Sequence, residues 1–355
     1  MAASLNDLLA RTTDLPPSEV WVALRPPLDH QSNRLYEAWA GGHHLILKEY
    51  LKPDELLEAP VREFGALERV AALDIAPRPV LYEPATASLG PIVIYEYLEG
   101  EMWDRRRPSR EQLAQLAEVW IRLHTLPTDG LWPSHGFQRS LDESWVDMRA
   151  RLQTYADWAT ANFVPGQKLA AVSLSGLECC RSLVKELTAS AAVLCFCRGD
   201  ARFANVIQRP TGDLGMVDWE DSGLRDPARE LADLLTGGNQ EDLLSPQEWE
   251  TGFLQPYFAV RTASDPSLRR RMELYLGLFP IFWLALLLSH GLTLAKDVTK
   301  AGQLSNWTIN GLPANERLRR YLARALAWPE MNFSRELESL QGMEFFPTCV
   351  SSSKE

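Results

Sequence analysis

The sequence predicts an α+β protein with two lobes, a small β-rich lobe followed by a large helical lobe. Its 355 residues exceed the roughly 250–300 residues at which a single hydrophobic core stops growing. Short runs with β-type composition concentrate before residue 98, whereas apolar residues recur at helical spacing from Ser109 onward. We therefore expect the two lobes at residues 1–98 and 99–355.

Composition and charge narrow the class of protein. Hydrophobic residues make up 46% and charged residues 23% of the chain, which has 21 glycines and 23 prolines. These proportions are those of globular proteins and exclude a disordered, collagen-like or coiled-coil chain. The formal net charge of −11 argues against a general nucleic-acid binder, because neutralising phosphates requires a basic face. We therefore expect no nucleic-acid partner.

Cysteine usage and the first residues favour a cytoplasmic protein. Five cysteines are too few for a disulfide scaffold. Cys195 and Cys197 share one face of a predicted strand without further ligands at metal-binding spacing, so we expect buried thiols. Residues 1–11 lack the pattern of a signal peptide. The most apolar run, Leu274–Leu288, is short for a membrane span and contains Pro280, so we expect a buried helix and no membrane partner. The oligomeric state is left open.

The elements of the small lobe follow from local patterns. Gly41-Gly42 separates two β-like runs and is a strong hairpin signal. A helical stretch from about Asp54 to Leu73 has Asp54 as a suitable N-cap and carries one apolar face. The predicted strands are Val20–Leu24, Arg34–Ala40, His43–Tyr50, Pro79–Tyr82 and Pro91–Tyr97.

The large lobe is predicted to be mainly helical. Its first helix begins near Ser109 and ends before Pro127. Two segments, Val193–Arg209 and Asp213–Glu220, interrupt the helical pattern with short β-like runs and a polar loop. A small β-rich lobe joined to a helical lobe favours a ligand cleft between the two. The further predicted helices cover residues 141–162, 168–190, 226–236, 246–260, 267–291 and 314–341.

The polar loop and the run that follows it carry residue types that suit a metal ion and a general base. Asp200 and Asn205 are five residues apart, and Asp218 follows thirteen residues later, after an apolar run. Carboxylate and carboxamide oxygens suit Mg²⁺, which binds one or two carboxylates together with substrate phosphates. A carboxylate that is not bound to the metal could accept the proton of a hydroxyl. The segment therefore predicts an Mg²⁺ site beside a general base.

These motifs resemble those of the aminoglycoside phosphotransferase and choline kinase family. Arg198-Gly199-Asp200 through Asn205 is similar to the family's catalytic loop, H-G-D-x-x-x-x-N, with arginine in place of the histidine. Asp218-Trp219-Glu220 matches its metal motif, D-W/F-E/D. The resemblance implies a bilobal protein-kinase-like fold and a small-molecule kinase activity.

Motifs on either side extend the resemblance over roughly residues 30–235. Arg225 through Asp233 is similar to the family's downstream pattern G-D-P-x-x-D-L-A, and Leu123-His124 is similar to a pair that ends a helix in the family. The order and spacing of several motifs make the resemblance specific.

The resemblance implies roles for the central residues. Asp200 would be the catalytic base that takes the proton of the acceptor hydroxyl. Asn205 and Asp218 would hold the Mg²⁺ that bridges the nucleotide phosphates.

Further residues would bind the nucleotide. Lys48 matches the lysine that contacts the α- and β-phosphates, and Glu63 is preferred over Glu68 as the helix glutamate that pairs with it. The other implied contacts are made by a hinge with Glu96 and Tyr97 and by a phosphate-covering turn with Ser32 and Asn33.

We therefore expect transfer of the γ-phosphoryl of ATP, or GTP, to a hydroxyl of a small-molecule acceptor. Aminoglycoside-, choline- and homoserine-like compounds are candidates, because tryptophan faces could bind a quaternary ammonium and acidic side chains could bind amino groups. A catalytically inactive kinase-like nucleotide-binding module is the alternative, since Arg198 replaces the loop histidine and the phosphate turn lacks its usual glycine. Transfer of a nucleotidyl group is a third possibility on the same fold.

Overall fold

The computed structural model describes residues 5–26, 33–51, 58–86, 89–132, 141–237, 240–296, 304, 306–309, 311–327 and 343–347. The chain divides into two compact units. The first consists of Met1–Gln138, Leu194–Glu230 and Asp242–Arg261, and the second of Arg139–Val193, Leu231–Glu241 and Thr262–Glu355. Every predicted site residue that the structure describes belongs to the first unit.

An antiparallel sheet opens the first unit. Its strands are β1 (Val20–Leu24), β2 (Asn33–Ala40), β3 (His43–Tyr50), β4 (Pro79–Glu83) and β5 (Ile92–Glu96), in the spatial order β1–β2–β3–β5–β4. Gly41 and Gly42 join β2 to β3 with φ of +56° and +84°, the left-handed conformation that such turns require.

The two faces of this sheet have different roles. Helix α1 (Leu5–Thr13) packs on one face, where Leu8 and Leu9 join Leu45 and Leu47 in a hydrophobic core. Side chains alternate along a strand, so Lys48 lies on the opposite face. Helix α2 (Ala59–Val70) packs against β4 and β5 and supplies the partner of Lys48.

The rest of the first unit carries two polar loops. Strands β6 (Glu101–Met102), β8 (Val206–Gln208) and β9 (Leu214–Met216) form a three-stranded sheet, and β7 (Cys195–Cys197) pairs with β10 (Gly223–Arg225). Asp200 and Asn205 therefore lie between β7 and β8, while Asp218 lies between β9 and β10. Short strands fix the ends of both loops.

Helices support these loops from behind. Helix α3 (Arg110–His124) begins at Ser109, whose side chain forms a capping box with Gln112. It packs against β7 and against a helical segment formed by α8 (Pro246–Trp249), a π-helical turn (Glu250–Leu254) and α9 (Gln255–Arg261). The buried stripe that the sequence predicts on α3 is present and ends at His124.

The second unit is mainly helical. It contains α4 (Leu141–Asn162), α5 (Val164–Cys179), α6 (Arg181–Ala189), α10 (Leu268–Lys296), a short hairpin of β11 (Thr308–Ile309) and β12 (Leu312–Pro313), and α11 (Ala314–Leu326). Helix α7 (Pro227–Thr236) begins in the first unit and ends in the second. Helix α10 packs against α4, α6 and α11, and Leu274, Leu278 and Leu288 on it are fully buried.

Helix α10 also meets the length and composition of a membrane-spanning helix. It is the one such helix among the described residues, and 56% of its most apolar window is buried within the protein. A single helix of this kind is weak evidence for a membrane span, because the core helix of a globular protein has the same properties.

The predicted α+β class is confirmed by an antiparallel sheet near the N-terminus and a mainly helical remainder. The predicted helix over residues 168–190 is in fact two helices, α5 and α6, separated at Cys180. The predicted cap Asp54 lies outside the described residues. The predicted lobe boundary at residue 98 falls inside the first unit, and the division at 1–98 and 99–355 stays a prediction.

Candidate active site

Lys48 is buried at the centre of a cluster of acidic side chains. Its Nζ lies 2.8 Å from Glu63 Oε2, so the structure pairs Lys48 with the preferred glutamate, whereas Glu68 is exposed. Glu63 is held by two further donors, the hydroxyl of Tyr50 and the backbone N–H of Trp219 at 3.4 Å. Glu63 therefore keeps the ammonium group in one position.

Two more carboxylates reach the same ammonium group. Asp218 Oδ1 lies 2.6 Å and Glu220 Oε2 lies 3.0 Å from Lys48 Nζ. Burial alone would lower the pKa of Lys48, but Asp218 and Glu63 outweigh it and raise that pKa well above its usual value. Burial would raise the pKa of Asp218, yet Lys48 holds it below its usual value. Burial raises the pKa of Glu220 to about 7.

Asp200 has a partner on each carboxylate oxygen. Oδ1 lies 2.8 Å from Arg202 Nε, and Oδ2 accepts a hydrogen bond from Asn205 Nδ2 at 3.0 Å. Because the amide nitrogen of Asn205 faces Asp200, its amide oxygen is left for another ligand. The side chains of Asp200 and Arg202 are 19% and 50% exposed, so a small molecule can reach the carboxylate.

Arg198, which stands where the family has histidine, is fully buried. Its Nη1 donates to the carbonyl of Asp200. Its Nη2 donates to the carbonyls of Val217 at 2.5 Å and Asp218 at 3.3 Å. The arginine thus contacts the backbone of both polar loops.

Position 199 requires glycine, both because of its backbone conformation and because there is no space for a side chain. It has a φ of +96°, and an added Cβ would lie 2.2 Å from the carbonyl oxygen of Asp221. Its N–H donates to Glu230 Oε1 at 2.8 Å, and its carbonyl accepts from Arg225 Nη1 at 3.0 Å. Side chains therefore fix the start of the loop that carries Asp200.

The loop that carries Asp218 is also held by contacts of its neighbouring residues. Asp218 has a φ of +67°, in the left-handed region that aspartate tolerates better than most residues. Trp219 is buried, stacks on Phe196 with ring centroids 6.4 Å apart and donates from Nε1 to the carbonyl of Met216 at 3.0 Å. Arg62 on α2 donates to the carbonyl of Glu220 at 3.1 Å.

Of the predicted phosphate turn, Asn33 is described and Ser32 lies outside the described residues. Asn33 Nδ2 donates to Glu220 Oε2 at 2.9 Å. The first residue of β2 is therefore tied to the acidic cluster around Lys48, which places the start of the strand beside the predicted phosphate site.

In the predicted hinge, the backbone N–H groups of Glu96 and Tyr97 donate to carbonyls of neighbouring strands and loops of the protein. The N–H of Glu96 donates to the carbonyl of Arg78, and the N–H of Tyr97 donates to the carbonyl of His44, both at 2.9 Å. The Tyr97 ring also stacks on His44, with ring centroids 4.0 Å apart. An adenine contact by Glu96 or Tyr97 would therefore have to use other atoms of this segment.

His124 and two thiols form a second buried cluster behind the first loop. His124 Nδ1 lies 2.6 Å from the Tyr257 hydroxyl, and Nε2 lies 2.6 Å from Glu230 Oε2. Cys197 Sγ lies 3.7 Å from both His124 Nε2 and Cys195 Sγ. Both imidazole nitrogens are thus engaged by oxygen partners, and the expected buried thiols are present.

The sequence interpretation missed several residues that shape the site. Glu230 lies inside the matched downstream pattern, and Arg202 is a cation two positions after Asp200, so both could have been found from their positions. Arg225 lies inside the same pattern, whereas Arg62 had no such signal. Their contacts depend on the folded backbone rather than on spacing along the chain.

The first unit therefore contains a buried lysine paired with carboxylates and the partly exposed carboxylate of Asp200. The oxygens of Glu63, Asp218 and Glu220 lie within 4.8 Å of one another, and Asp218 is 36% exposed. An oxygen-only donor set with accessible carboxylates fits Mg²⁺. The backbone carbonyl of Asn205 accepts a hydrogen bond from the N–H of Val217, the residue before Asp218, at 3.1 Å. Such a site could bind a nucleotide polyphosphate and transfer a phosphoryl group.

The sequence model of the phosphotransferase enzyme family (APH) matches residues 23–275. The chain belongs to the phosphotransferase enzyme family. The match includes Lys48, Glu63, Asp200, Asn205 and Asp218. No curated protein matches the sequence.

Solved structures share the fold of this phosphotransferase. Choline kinase LicA from Streptococcus pneumoniae is 20% identical with a TM-score of 0.57, covering 90% of this chain and 99% of its own. Spectinomycin phosphotransferase in complex with ADP and spectinomycin is 11% identical with a TM-score of 0.57, covering 86% and 92%. An ethanolamine kinase from Plasmodium vivax is 16% identical with a TM-score of 0.55, covering 84% and 82%.

These findings confirm the resemblance to aminoglycoside phosphotransferases and choline kinases, together with the protein-kinase-like fold. The chain is an enzyme of the phosphotransferase class that acts on small molecules. Structural neighbours that contain ADP or AMP support nucleotide binding by this phosphotransferase.

Proposed function

We propose that this phosphotransferase moves the γ-phosphoryl of ATP, or GTP, to a hydroxyl of a small amine-bearing molecule, with Asp200 as the general base. One observation carries the proposal: Lys48 contacts Glu63 and Asp218 at once. A phosphate-binding cation thereby lies directly beside a metal-type carboxylate. In an inactive site either the lysine or the carboxylate could be lost without consequence, whereas this chain has both Lys48 and Asp218.

The proposed nucleotide contacts follow from the charges. Lys48 is held by Glu63 and supplies a fixed positive charge for the α- and β-phosphates. Asn205 and Asp218 would hold Mg²⁺, which neutralises charge on the β- and γ-phosphates when bound. Asn33 lies at the phosphate end of the site through its contact with Glu220, where its side-chain amide can donate to a phosphate oxygen.

The proposed transfer step uses Asp200. The acceptor oxygen forms a bond to the γ-phosphorus as the bond from phosphorus to the β–γ bridging oxygen breaks. The hydroxyl proton passes to Asp200, and ADP leaves. Asn205 and Arg202 hold the two oxygens of the carboxylate, so the base is oriented before the acceptor binds. Positioning and electrostatics supply the catalysis.

The proposed acceptor class rests on charge and on the relatives. The carboxylates of Asp200 and Glu220 and the net charge of −11 favour a cationic molecule over an anionic one. The acceptors named for the structural neighbours, choline, ethanolamine and spectinomycin, all carry both a nitrogen and a hydroxyl group.

An Asp200→Asn variant tests the proposal. The enzyme is incubated with Mg²⁺ and ATP or GTP and with a panel of amino alcohols and aminoglycosides, and nucleoside diphosphate is measured. We expect the variant to lose about 10²–10⁴-fold in turnover, the usual contribution of a general base, while its affinity for ADP changes little. The exposed Asp213 provides the matched control, and Asp213→Asn should retain full turnover.

Three outcomes would contradict the proposal. Unchanged turnover in Asp200→Asn would remove Asp200 as the base. ATP that binds without transfer across the whole panel would favour an inactive nucleotide-binding module. Release of pyrophosphate instead of ADP would indicate nucleotidyl transfer.

A further inference from the structure

Arg198 connects the two loops of the candidate site. Its guanidinium donates to the carbonyl of Asp200 on the first loop. It also donates to the carbonyls of Val217 and Asp218 on the second loop. The first loop carries the proposed base and the second carries the proposed metal ligand. One side chain therefore restrains the backbone at both residues.

Burying the guanidinium of Arg198 costs free energy that burying an apolar side chain at the same position would not. Arg198 is fully buried, and its Nε has no hydrogen-bond partner within the part of the chain that the structure describes. An apolar side chain could pack against the Trp219 ring, which lies 5.7 Å from the guanidinium carbon, without this penalty. The buried charge therefore favours a role in the site.

The second loop is the one that needs restraint. Asp218 has a φ of +67°, and left-handed conformations cost a non-glycine residue about 1–2 kcal/mol. Arg198 donates to the carbonyl of Asp218 and to the carbonyl just before it. These bonds act on the peptide groups on both sides of the strained Cα.

We propose that Arg198 is a positioning residue that sets the separation between Asp218 and the loop that carries Asp200 and Asn205, and thereby the affinity for the Mg²⁺–nucleotide complex. The proposal rests on the proposed function, in which Asp218 binds Mg²⁺ and Asp200 is the base. The planar fork of arginine can bond several carbonyls at once. Lysine retains the charge but presents a single nitrogen, and histidine offers two N–H groups on a shorter side chain.

A role through charge alone makes the opposite prediction. Arg198 is a cation near Asp218 and repels a metal ion bound there, so by Coulomb's law its removal would strengthen the binding of Mg²⁺. Loss of positioning would weaken Mg²⁺ binding, because Asp218 would no longer be held at the correct separation from Asn205 on the other loop. The sign of the change in Mg²⁺ affinity therefore separates the two roles.

The experiment measures ADP binding as a function of Mg²⁺ concentration, followed by the fluorescence of the 12 tryptophans. This readout needs no knowledge of the acceptor. We expect Arg198→Lys and Arg198→Met to raise the Mg²⁺ concentration for half-maximal binding by about tenfold or more, the usual effect of removing a group that orients a metal ligand. An unchanged or lower Mg²⁺ requirement in either variant would overturn the proposal.

Arg271 provides the matched control. It is 1% exposed, and it pairs with Asp265 in the second unit at 2.9 and 2.6 Å, whereas the described site residues belong to the first unit. Arg271→Lys should lower the melting temperature without changing the Mg²⁺ requirement. If Arg198→Met does not fold, Arg198→Lys decides the outcome, because it keeps the buried charge.

Asp200→Asn separates failure of this proposal from failure of the proposed function. If Asp200→Asn retains turnover, the assigned base is wrong, and the Mg²⁺ titration of the Arg198 variants still reports on positioning. If Asp200→Asn is inactive while the Arg198 variants bind Mg²⁺ and ADP normally, the proposed function stands and Arg198 is not a positioning residue.

Discussion

At the scale of single residues, His124 and Glu230 form a buried ion pair that supports the first loop, which carries Asp200. Glu230 accepts from His124 with one oxygen and from the backbone N–H of Gly199 with the other. Burial alone would lower the pKa of His124, but Cys197 and Glu230 outweigh it and raise that pKa to about 9. The pKa of Glu230 is lowered, mainly by His124 acting against burial. The imidazolium and the carboxylate therefore stabilise each other.

The raised pKa of His124 makes stability depend on pH. An unfolded histidine has a pKa near 6.5, so the stabilisation is complete below that pH and is lost as the pH rises through about 9. We expect the free energy of unfolding to fall by up to about 3 kcal/mol between pH 6.5 and 9. Urea denaturation of the wild type and of His124→Gln measures this slope.

The histidine control uses an exposed side chain. His43 is exposed, and His43→Asn should keep the wild-type dependence on pH. His124→Gln should be less stable at pH 6.5 and should lose most of the slope. Equal slopes in the wild type and His124→Gln would show that another group causes the pH dependence.

The sequence predicted individual residues well where a motif named them. Lys48 and Glu63 form the pair that their motifs imply, whereas the hydrogen bond between Asn205 and Asp200 was not predicted. The triple contact of Lys48 with Glu63, Asp218 and Glu220 was not predicted. It depends on side-chain orientations set by two loops and a strand, which spacing along the chain does not encode.

At the scale of elements, the first loop leaves no room for a side chain at Gly199. We expect Gly199→Ala to destabilise the protein through both strain and steric contact. An alanine would have to adopt a φ of +96° and place its Cβ 2.2 Å from the carbonyl oxygen of Asp221. Overpacking of this kind costs about 1–3 kcal/mol beyond the backbone strain. Chemical denaturation measures the loss.

Gly212 separates the two contributions. It has a similar φ of +90°, but an added Cβ would have no neighbour within 4 Å among the described residues. Gly212→Ala should therefore cost only the backbone strain, about 1 kcal/mol. Equal losses of stability in the two variants would mean that the contact with Asp221 relaxes without cost.

Element bounds were predictable where periodicity was long and its ends were marked. The strands Val20–Leu24 and His43–Tyr50 and the helix over residues 141–162 begin and end as predicted. The break between α5 and α6 was missed, because Cys179 and Cys180 give no glycine or proline signal there. The pairing of β6 with β8 was also missed, because it joins residues about a hundred positions apart, and local patterns do not encode such pairings.

At the scale of the whole molecule, the site is assembled from distant parts of the sequence within one unit. Lys48 contacts Asp218 across 170 residues, and Asn33 contacts Glu220 across 187 residues. Composition and periodicity could not predict these contacts. The order of motifs along the chain, which matches the order in a known family, predicted that Lys48 and Asp218 belong to one site but not that their side chains are in contact.

The location of all these contacts in the first unit leads to a prediction about thermal unfolding. A ligand that binds only the folded state at 100 times its Kd stabilises it by about 2.7 kcal/mol. For a unit of this size that corresponds to a rise of roughly 5–10 °C in melting temperature. We expect ADP with Mg²⁺ to raise the melting temperature of the transition in which the first unit unfolds. Calorimetry with and without EDTA measures the part that depends on Mg²⁺.

Two aspartate variants test whether this stabilisation comes from the proposed metal ligand. Asp218→Asn removes a carboxylate charge from the cluster around Lys48, so it should lose most of the Mg²⁺-dependent rise. Asp213 lies only four residues before Val217, where the second loop begins, but its side chain is 49% exposed and pairs with Arg209. Asp213→Asn should therefore keep the full rise. If EDTA left the rise unchanged in the wild type, or if Asp218→Asn kept it in full, the nucleotide would bind without a metal at Asp218.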